Sequence, residues 1–240
     1  MPGTLDGRVA VVTGASAGIG RAVTLALARE GATVFAAARR AEELRSLAGA
    51  SQGGGTIRWL AGDVTDGAFV ASLAARASEA DILVNNAGML TYAPALELTA
   101  AECETMFRLN VLAAIDVSQR FGAGMAARGQ GHIVVMTSTA ARSVGPLRSV
   151  YSATKHALAA FTQGLRMELK GRGVKVTEIA PGMVDTGIRN GNTHPAATAL
   201  FQGLSFAPLT ADDVAQAVLY AVTTSATCCP DLIELRPPQA

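Results

Sequence analysis

Seven short β-branched runs alternate along this chain with longer stretches of helical periodicity, and that alternation narrows the possible folds more than any other feature. The runs predict strands at 8–13, 33–37, 57–61, 82–85, 132–137, 175–179 and 232–235. Helical spacing predicts helices at 18–30, 41–48, 68–78, 99–128, 150–171 and 211–223. A strand, a helix and a further strand close into a parallel sheet with a crossover connection. The expected fold is α/β, a doubly wound Rossmann arrangement of seven parallel strands with helices on both faces. The 240 residues suffice for one such domain. The glycine run at 53–55 and the stretch at 190–195 are too short to divide it, so residues 1–240 are read as a single domain.

Composition excludes several classes. Hydrophobic residues make up 50% of the chain, charged residues 16%, and the formal net charge is +1. With no basic block, nucleic acid is not an expected partner. The apolar runs at 34–38 and 111–115 fall well short of the roughly 18 residues that span a bilayer, so no membrane partner is expected. The opening MPGTLDGRVAVVTG runs directly into a strand without a leader pattern, and a cytoplasmic protein is expected. Cys103, Cys228 and Cys229 show no CxxC spacing, so neither disulfides nor a metal site is expected.

Polar residues cluster where strands end. Thr13-Gly14, Arg39, Asp63, Asn85, Ser138 and Pro181 each follow or close a predicted strand. The carboxyl ends of parallel strands open on one edge, where ligands of open α/β sheets bind. The first strand leads into Gly14-Ala15-Ser16-Ala17-Gly18-Ile19-Gly20, a glycine turn that permits close backbone approach to a pyrophosphate at a helix N-terminus. A turn that merely joins strand to helix is the alternative. The second strand exits into Arg39-Arg40, where an NAD site usually carries an acidic residue. Two guanidiniums there suit a 2′-phosphate, Arg39 as the main contact and Arg40 as the secondary one. Two solvated arginines would look the same.

Tyr151 and Lys155 stand one helical turn apart on one face. A free tyrosine is about one part in a thousand ionised at pH 7. Bringing its pKa near neutrality takes about 4 kcal/mol of differential interaction, which a buried ammonium beside an oxidised nicotinamide ring is expected to supply. A surface pair would share this spacing. Ser138, on the ligand edge, can donate to a carbonyl oxygen or simply cap the next turn. Asn110 falls within an apolar stripe made of Cys103, Met106/Phe107, Ala114, Val117 and Phe121. A buried amide there needs a partner, expected to be a water, the lysine or a structural group.

Together, Thr13-Gly14-x-x-x-Gly18-Ile19-Gly20, Asp63-Val64, Asn85-Asn86-Ala87-Gly88, Asn110, Ser138, Tyr151-x-x-x-Lys155 and Pro181-Gly182 resemble the short-chain dehydrogenase/reductase family. The order and approximate spacing match over essentially the whole chain. The resemblance implies a catalytic tetrad of Asn110, Ser138, Tyr151 and Lys155. In that scheme Asn110 holds a water that returns protons to the tyrosine. It implies NADP(H) bound by Gly14, Ser16, Ala17, Gly18, Ile19, Gly20, Arg39, Arg40, Asp63, Val64, Asn86, Ala87, Gly88, Tyr151, Lys155, Pro181, Gly182, Val184 and Thr186. Met89, Tyr92 and Met183 join Ser138 and Tyr151 around the substrate, with a lid at 187–208. The arginine pair and the ending Ile-Glu-Leu-Arg-Pro are most similar to the NADP-dependent branch that includes clavaldehyde reductases and hydroxy-acid dehydrogenases. The interval from Asp63 to Asn85 is shorter than usual for the family.

The expected function is reduction of a ketone or aldehyde to an alcohol, or the reverse, by hydride transfer with Tyr151 as acid/base. Apolar lid residues Ile188, Leu200, Phe201, Leu204 and Phe206 point to an uncharged carbonyl substrate, although Arg189 leaves a carboxylated one open. His194 is expected to face solvent. A homodimer or homotetramer is expected. A non-catalytic NADP(H)-binding regulator is the main alternative; a sugar-nucleotide epimerase would be expected to be longer.

Overall fold

A computed structural model describes residues 3–188, 192–202 and 205–238. Arg189, Asn190 and Leu204 of the expected lid lie outside the described residues. The strands are β1 (Val9–Thr13), β2 (Thr33–Ala38), β3 (Thr56–Ala61), β4 (Ile82–Asn85), β5 (Gly131–Met136), β6 (Val174–Pro181) and β7 (Leu232–Leu235). They form one seven-stranded sheet in the order β3-β2-β1-β4-β5-β6-β7, with every neighbouring pair parallel. The strand order reverses between β1 and β4, which opens a crevice at their carboxyl ends.

Strand alternation sends side chains to two separate cores. Ala10 and Val12 of β1, with Val34 and Ala36 of β2, meet Val23 and Leu27 of α1 (Gly18–Arg29) and Val214 and Val218 of α8 (Ala211–Thr223). Val11, on the opposite face, joins Leu83 and Ile133. That second core is covered by α3 (Gly67–Arg76), α5 (Ala114–Arg128) and α6 (Ser149–Leu169), through Leu73, Phe121 and Leu158. Each fully buried aliphatic side chain of this kind contributes about 1.5–3 kcal/mol. A third, smaller cluster gathers Tyr92, Met106, Ala140, Tyr151 and Ala197 beside the ligand edge. Among the described residues, no helix is long and apolar enough to cross a membrane.

Local signals set the helix ends. The 99–128 helix begins on a reciprocal cap: Thr99 Oγ1 accepts from the Glu102 N–H at 3.3 Å, and the Glu102 carboxylate accepts from the Thr99 N–H at 2.8 Å. Such a cap is worth about 1 kcal/mol. It ends where Gly129 adopts φ 71°. Between those points the expectation of one regular helix needs correction. α4 (Ala100–Phe107) and α5 are joined by a π-helical turn, Arg108–Ala113, centred on Asn110. The wider turn changes the phase of the stripe. Met106 is fully buried, whereas Phe107 is 38% exposed and faces out of it. Two further helices flank sites discussed below: α2 (Ala41–Gly49), and α7 (Pro195–Gln202), an unexpected helix within the lid.

Candidate active site

The glycine turn forms the floor of a cleft of 780 Å³ at the ends of β1, β2, β3 and β4. Gly14 takes φ 67°, and a Cβ there would come within 2.9 Å of both the Ala87 backbone and the Asn86 amide. A Cβ on Gly20 would lie 2.3 Å from the Gly14 carbonyl oxygen. Both positions therefore require glycine for the turn to close. Thr13 ties the turn to β4, its Oγ1 accepting from the N–H groups of Asn86 and Ala87, each at 3.0 Å. The Asn86 amide donates back to the Thr13 carbonyl at 2.9 Å.

Gly14, Ser16, Ala17, Gly18, Ile19, Gly20, Arg39, Arg40, Asp63, Val64, Asn86, Ala87, Gly88 and Thr186 all line this cleft, as expected from their positions. The α1 N-terminus carries no side-chain cap, so its first N–H groups remain available to an anion. Arg40 Nη2 donates to Ser16 Oγ at 3.0 Å, and its guanidinium pairs with Glu43 of α2 at 3.3 Å. Arg39 has no ion pair among the described residues and extends over the same cleft. Burial works to raise the Asp63 carboxyl. Hydrogen bonds from Thr65 and the charge of Arg39 outweigh it and hold the group below its ordinary range. A cleft of this volume with a glycine floor, an uncapped helix end and two arginines fits a nicotinamide dinucleotide.

A second cavity of 140 Å³ continues from the cleft. The two share Ile19, Asn86, Gly88, Met89, Thr186 and Ile188. Ser138, Tyr151 and Lys155 line it together with Tyr92, Pro181, Gly182, Met183 and Val184. Tyr151 and Lys155 thus face one space from one side of α6. Ser138 Oγ accepts from the Ala140 N–H at 3.1 Å and donates to the Pro181 carbonyl at 3.3 Å. It is both a turn cap and a cavity group. The Tyr92 ring tilts against Tyr151, centroids 5.9 Å apart, and against Phe201 at 5.4 Å.

The surroundings of Tyr151 and Asn110 bear on two expectations about this cavity. Burial pushes the Tyr151 phenol well above the ordinary tyrosine value. Electrostatic coupling to the Tyr92 phenol adds to that rise, while the hydrogen bond with Ser138 and the charge of Arg148 pull against it. The lysine lies beside the ring. Its ammonium lies 5.9 Å from the centre of the ring and donates to the Met136 carbonyl at 3.0 Å. Burial lowers Lys155 itself to about 8, with Glu178 opposing. Asn110 takes structural partners, one of the alternatives its position left open. Its Oδ1 accepts from the Met89 N–H at 2.8 Å, and its Nδ2 donates to the Met89 carbonyl at 2.9 Å and to Thr154 Oγ1 at 3.1 Å. The π turn allows this reach, and the side chain positions the 88–89 segment.

Glu178 and Thr154 escaped the sequence reading, and two lid residues take partners that it did not name. Glu178, buried on β6, accepts from Thr137 Oγ1 and, at 2.7 Å, from Arg142. It grips the segment on both sides of Ser138. A lone carboxylate within the β-branched run of β6 was the available signal. Thr154 bridges Asn110 and the Tyr151 carbonyl, to which it donates at 2.7 Å. Asn192 of the lid accepts from the Tyr92 N–H at 2.5 Å and donates to the Leu90 carbonyl. His194 pairs with the exposed Glu97 at 3.1 Å at the surface.

The model for the short chain dehydrogenase family matches residues 8–196. The chain belongs to the short-chain dehydrogenase/reductase family. Its fold and nicotinamide-binding cleft are those of this family of oxidoreductases. It is 39% identical over 226 residues to the glycine betaine reductase of Emericella nidulans, covering 92% of this chain but only 18% of that protein's length. The closed form of a serine dehydrogenase complexed with NADP+ superposes with a TM-score of 0.89 at 31% identity, covering 97% of this chain and 96% of the other. A family member from Burkholderia phymatum in complex with NAD gives 0.85 at 27% identity, covering 96% and 89%.

Proposed function

We propose that the chain is an NADP(H)-dependent oxidoreductase that interconverts a ketone or aldehyde and its alcohol, with Tyr151 as acid/base. The observation that carries this reading is the junction of the two cavities: Tyr151, Ser138 and Lys155 face a small chamber that opens into the glycine-floored cleft. When bound, the nicotinamide supplies hydride for reduction or accepts it in oxidation.

The rest of the chemistry falls to the protein. Burial favours the protonated Tyr151 phenol, the form that gives its proton to the carbonyl oxygen during reduction and is left as phenolate; in oxidation the phenolate form takes the alcohol proton back. Ser138 Oγ, released from its long bond to Pro181, donates to the same oxygen and stabilises charge developing there. The Lys155 ammonium provides positive potential beside the phenol and is placed to bind the nicotinamide ribose. Asn110 and Thr154 position Met89 and the first turns of α6 around these groups.

Arg39 and Arg40 support NADP(H), as a carboxylate at their place would repel a 2′-phosphate. Asp63 is the adenine contact, and Pro181, Gly182, Val184 and Thr186 form the nicotinamide side. The reading includes a cytoplasmic dimer or tetramer. Phe107, Leu112 and Met167 are exposed apolar side chains on α4, the π turn and α6, and β7 leaves an open sheet edge. Light scattering checks the assembly.

The test of the activity is consumption of NADPH and NADH with a panel of aldehydes and ketones. NADPH oxidation that depends on a carbonyl compound is expected. Tight NADPH binding with no turnover across the panel would favour the regulatory protein instead.

A further inference from the structure

The substrate chamber has a charge asymmetry that its apolar lid residues conceal. Its described lining includes two cationic residues, Arg148 and Lys155, and no aspartate or glutamate. Lys155 directs one donor to the Met136 carbonyl and is the group read above as the ribose contact. Arg148 makes no ion pair among the described residues, and no hydrogen bond from its guanidinium is recorded there. It is half-buried, so its charge is not simply dissolved in bulk water.

The backbone holds Arg148 at this place at some cost. Leu147, just before it, has φ 65°, the one non-glycine residue with positive φ among the described residues. Such a conformation is disfavoured for a residue with a branched side chain and persists where surroundings enforce it. The Leu147 carbonyl accepts from the Ala93 N–H at 2.9 Å, and its side chain packs into the cluster around Tyr92 and Tyr151. The guanidinium folds over Gly145, where a Cβ would meet Nε at 2.9 Å, so a side chain at 145 would displace it. Arg148 ends as the N-cap of α6, three residues before Tyr151. Residues at that spacing are neighbours on a helix surface, roughly 5–6 Å apart at Cβ. Its charge is felt at the phenol.

We infer that Arg148 binds the carboxylate of the substrate, so that the reacting pair is a short oxo acid and the corresponding hydroxy acid. This rests on the oxidoreductase reading of the same chamber. A guanidinium matches a carboxylate through two parallel N–H bonds. With the carboxylate on Arg148, the carbonyl at Tyr151 and Ser138 lies only a few bonds away, which suits a chamber of 140 Å³. The wholly uncharged substrate suggested by the lid's apolar residues is thereby replaced.

The experiment compares short oxo acids with their methyl esters, in the wild type and in Arg148→Met and Arg148→Lys. Wild type is expected to favour the acid by at least tenfold in kcat/KM. Arg148→Met should reduce the acid's kcat/KM by roughly 10- to 100-fold, mainly through KM. The acid-to-ester ratio should collapse toward one, and Arg148→Lys should restore part of it. Equal use of acid and ester by the wild type, or an unchanged ratio in Arg148→Met, overturns the inference. A second arm needs no turnover: thermal stabilisation by a saturated carboxylate of the same length and by inorganic phosphate. Stabilisation by the carboxylate that is lost in Arg148→Met supports the inference; stabilisation by phosphate alone, or none that depends on Arg148, contradicts it. A wild type that reduces no carbonyl compound, yet binds carboxylate through Arg148, breaks the oxidoreductase reading and with it the oxo-acid pair, and leaves only the carboxylate site standing.

Discussion

The two ends of the composite cleft are built by different means. At the carboxyl ends of β1 and β4 the nucleotide cradle is made largely of backbone: glycines at 14 and 20 pressed against neighbouring chain, tied by Thr13 to Asn86 and Ala87. At the carboxyl ends of β5 and β6 the reaction chamber is made of side chains. Its buried groups are Tyr151, a member of the small satellite cluster, with Lys155 and Ser138, and Glu178 supports them from outside the lining. A backbone cradle tolerates changes of side-chain chemistry but not of volume. A chamber of buried polar groups tolerates neither loss of a charge nor loss of a partner. Substitutions should therefore separate cofactor affinity from turnover according to which end they touch.

The largest effect that sharpens this contrast is expected for Lys155→Met. Turnover should fall by about a hundredfold or more, with loss of the ribose contact as a smaller change in NADPH affinity. The pH profile carries the sign. With Lys155 lowered to about 8, its ammonium is present below that pH and lost above it. Burial raises Tyr151, so the phenol stays protonated across the same range. Reduction by the wild type should decline through an alkaline limb near pH 8, and Lys155→Met should lack that limb. Steady-state rates from pH 6 to 10 check it.

Glu178→Gln comes next. It removes the charge partner of Arg142 while leaving an acceptor for Thr137. A stability loss of about 1–2 kcal/mol in urea unfolding is expected, with kcat reduced several-fold and the NADPH Kd little changed. Equal damage to Kd and kcat would erase the proposed division between the two ends. The smallest effect belongs to the exposed rim of the cradle. Arg39→Ala should raise the KM for NADPH about tenfold and leave that for NADH nearly unaltered. If both constants are unmoved, Arg39 does not read the phosphate.

The same contrast explains what was legible in the sequence. The sheet and the cradle could be read because they depend on periodicity and on glycines whose spacing is local. The reaction chamber was legible only as a set of residue types at strand ends. Its physics depends on contacts between distant segments. Tyr151 is driven upward because Tyr92 and other groups around it exclude water, and no pattern near Tyr151-x-x-x-Lys155 announces that. The π turn at Asn110 left only one trace, an amide in an apolar stripe. The partners of that amide, Met89 and Thr154, lie far along the chain. Arg148 resembled any polar residue before a helix until the fold placed it on the chamber wall.

The central claim concerns a single oxygen atom, the phenol of Tyr151. The most direct measurement is Tyr151→Phe, with NADPH binding followed by fluorescence and carbonyl reduction followed in the same preparation. Turnover reduced by at least a thousandfold, with the NADPH Kd changed less than about threefold, is the expected result. Substantial reduction without the phenol would contradict the account.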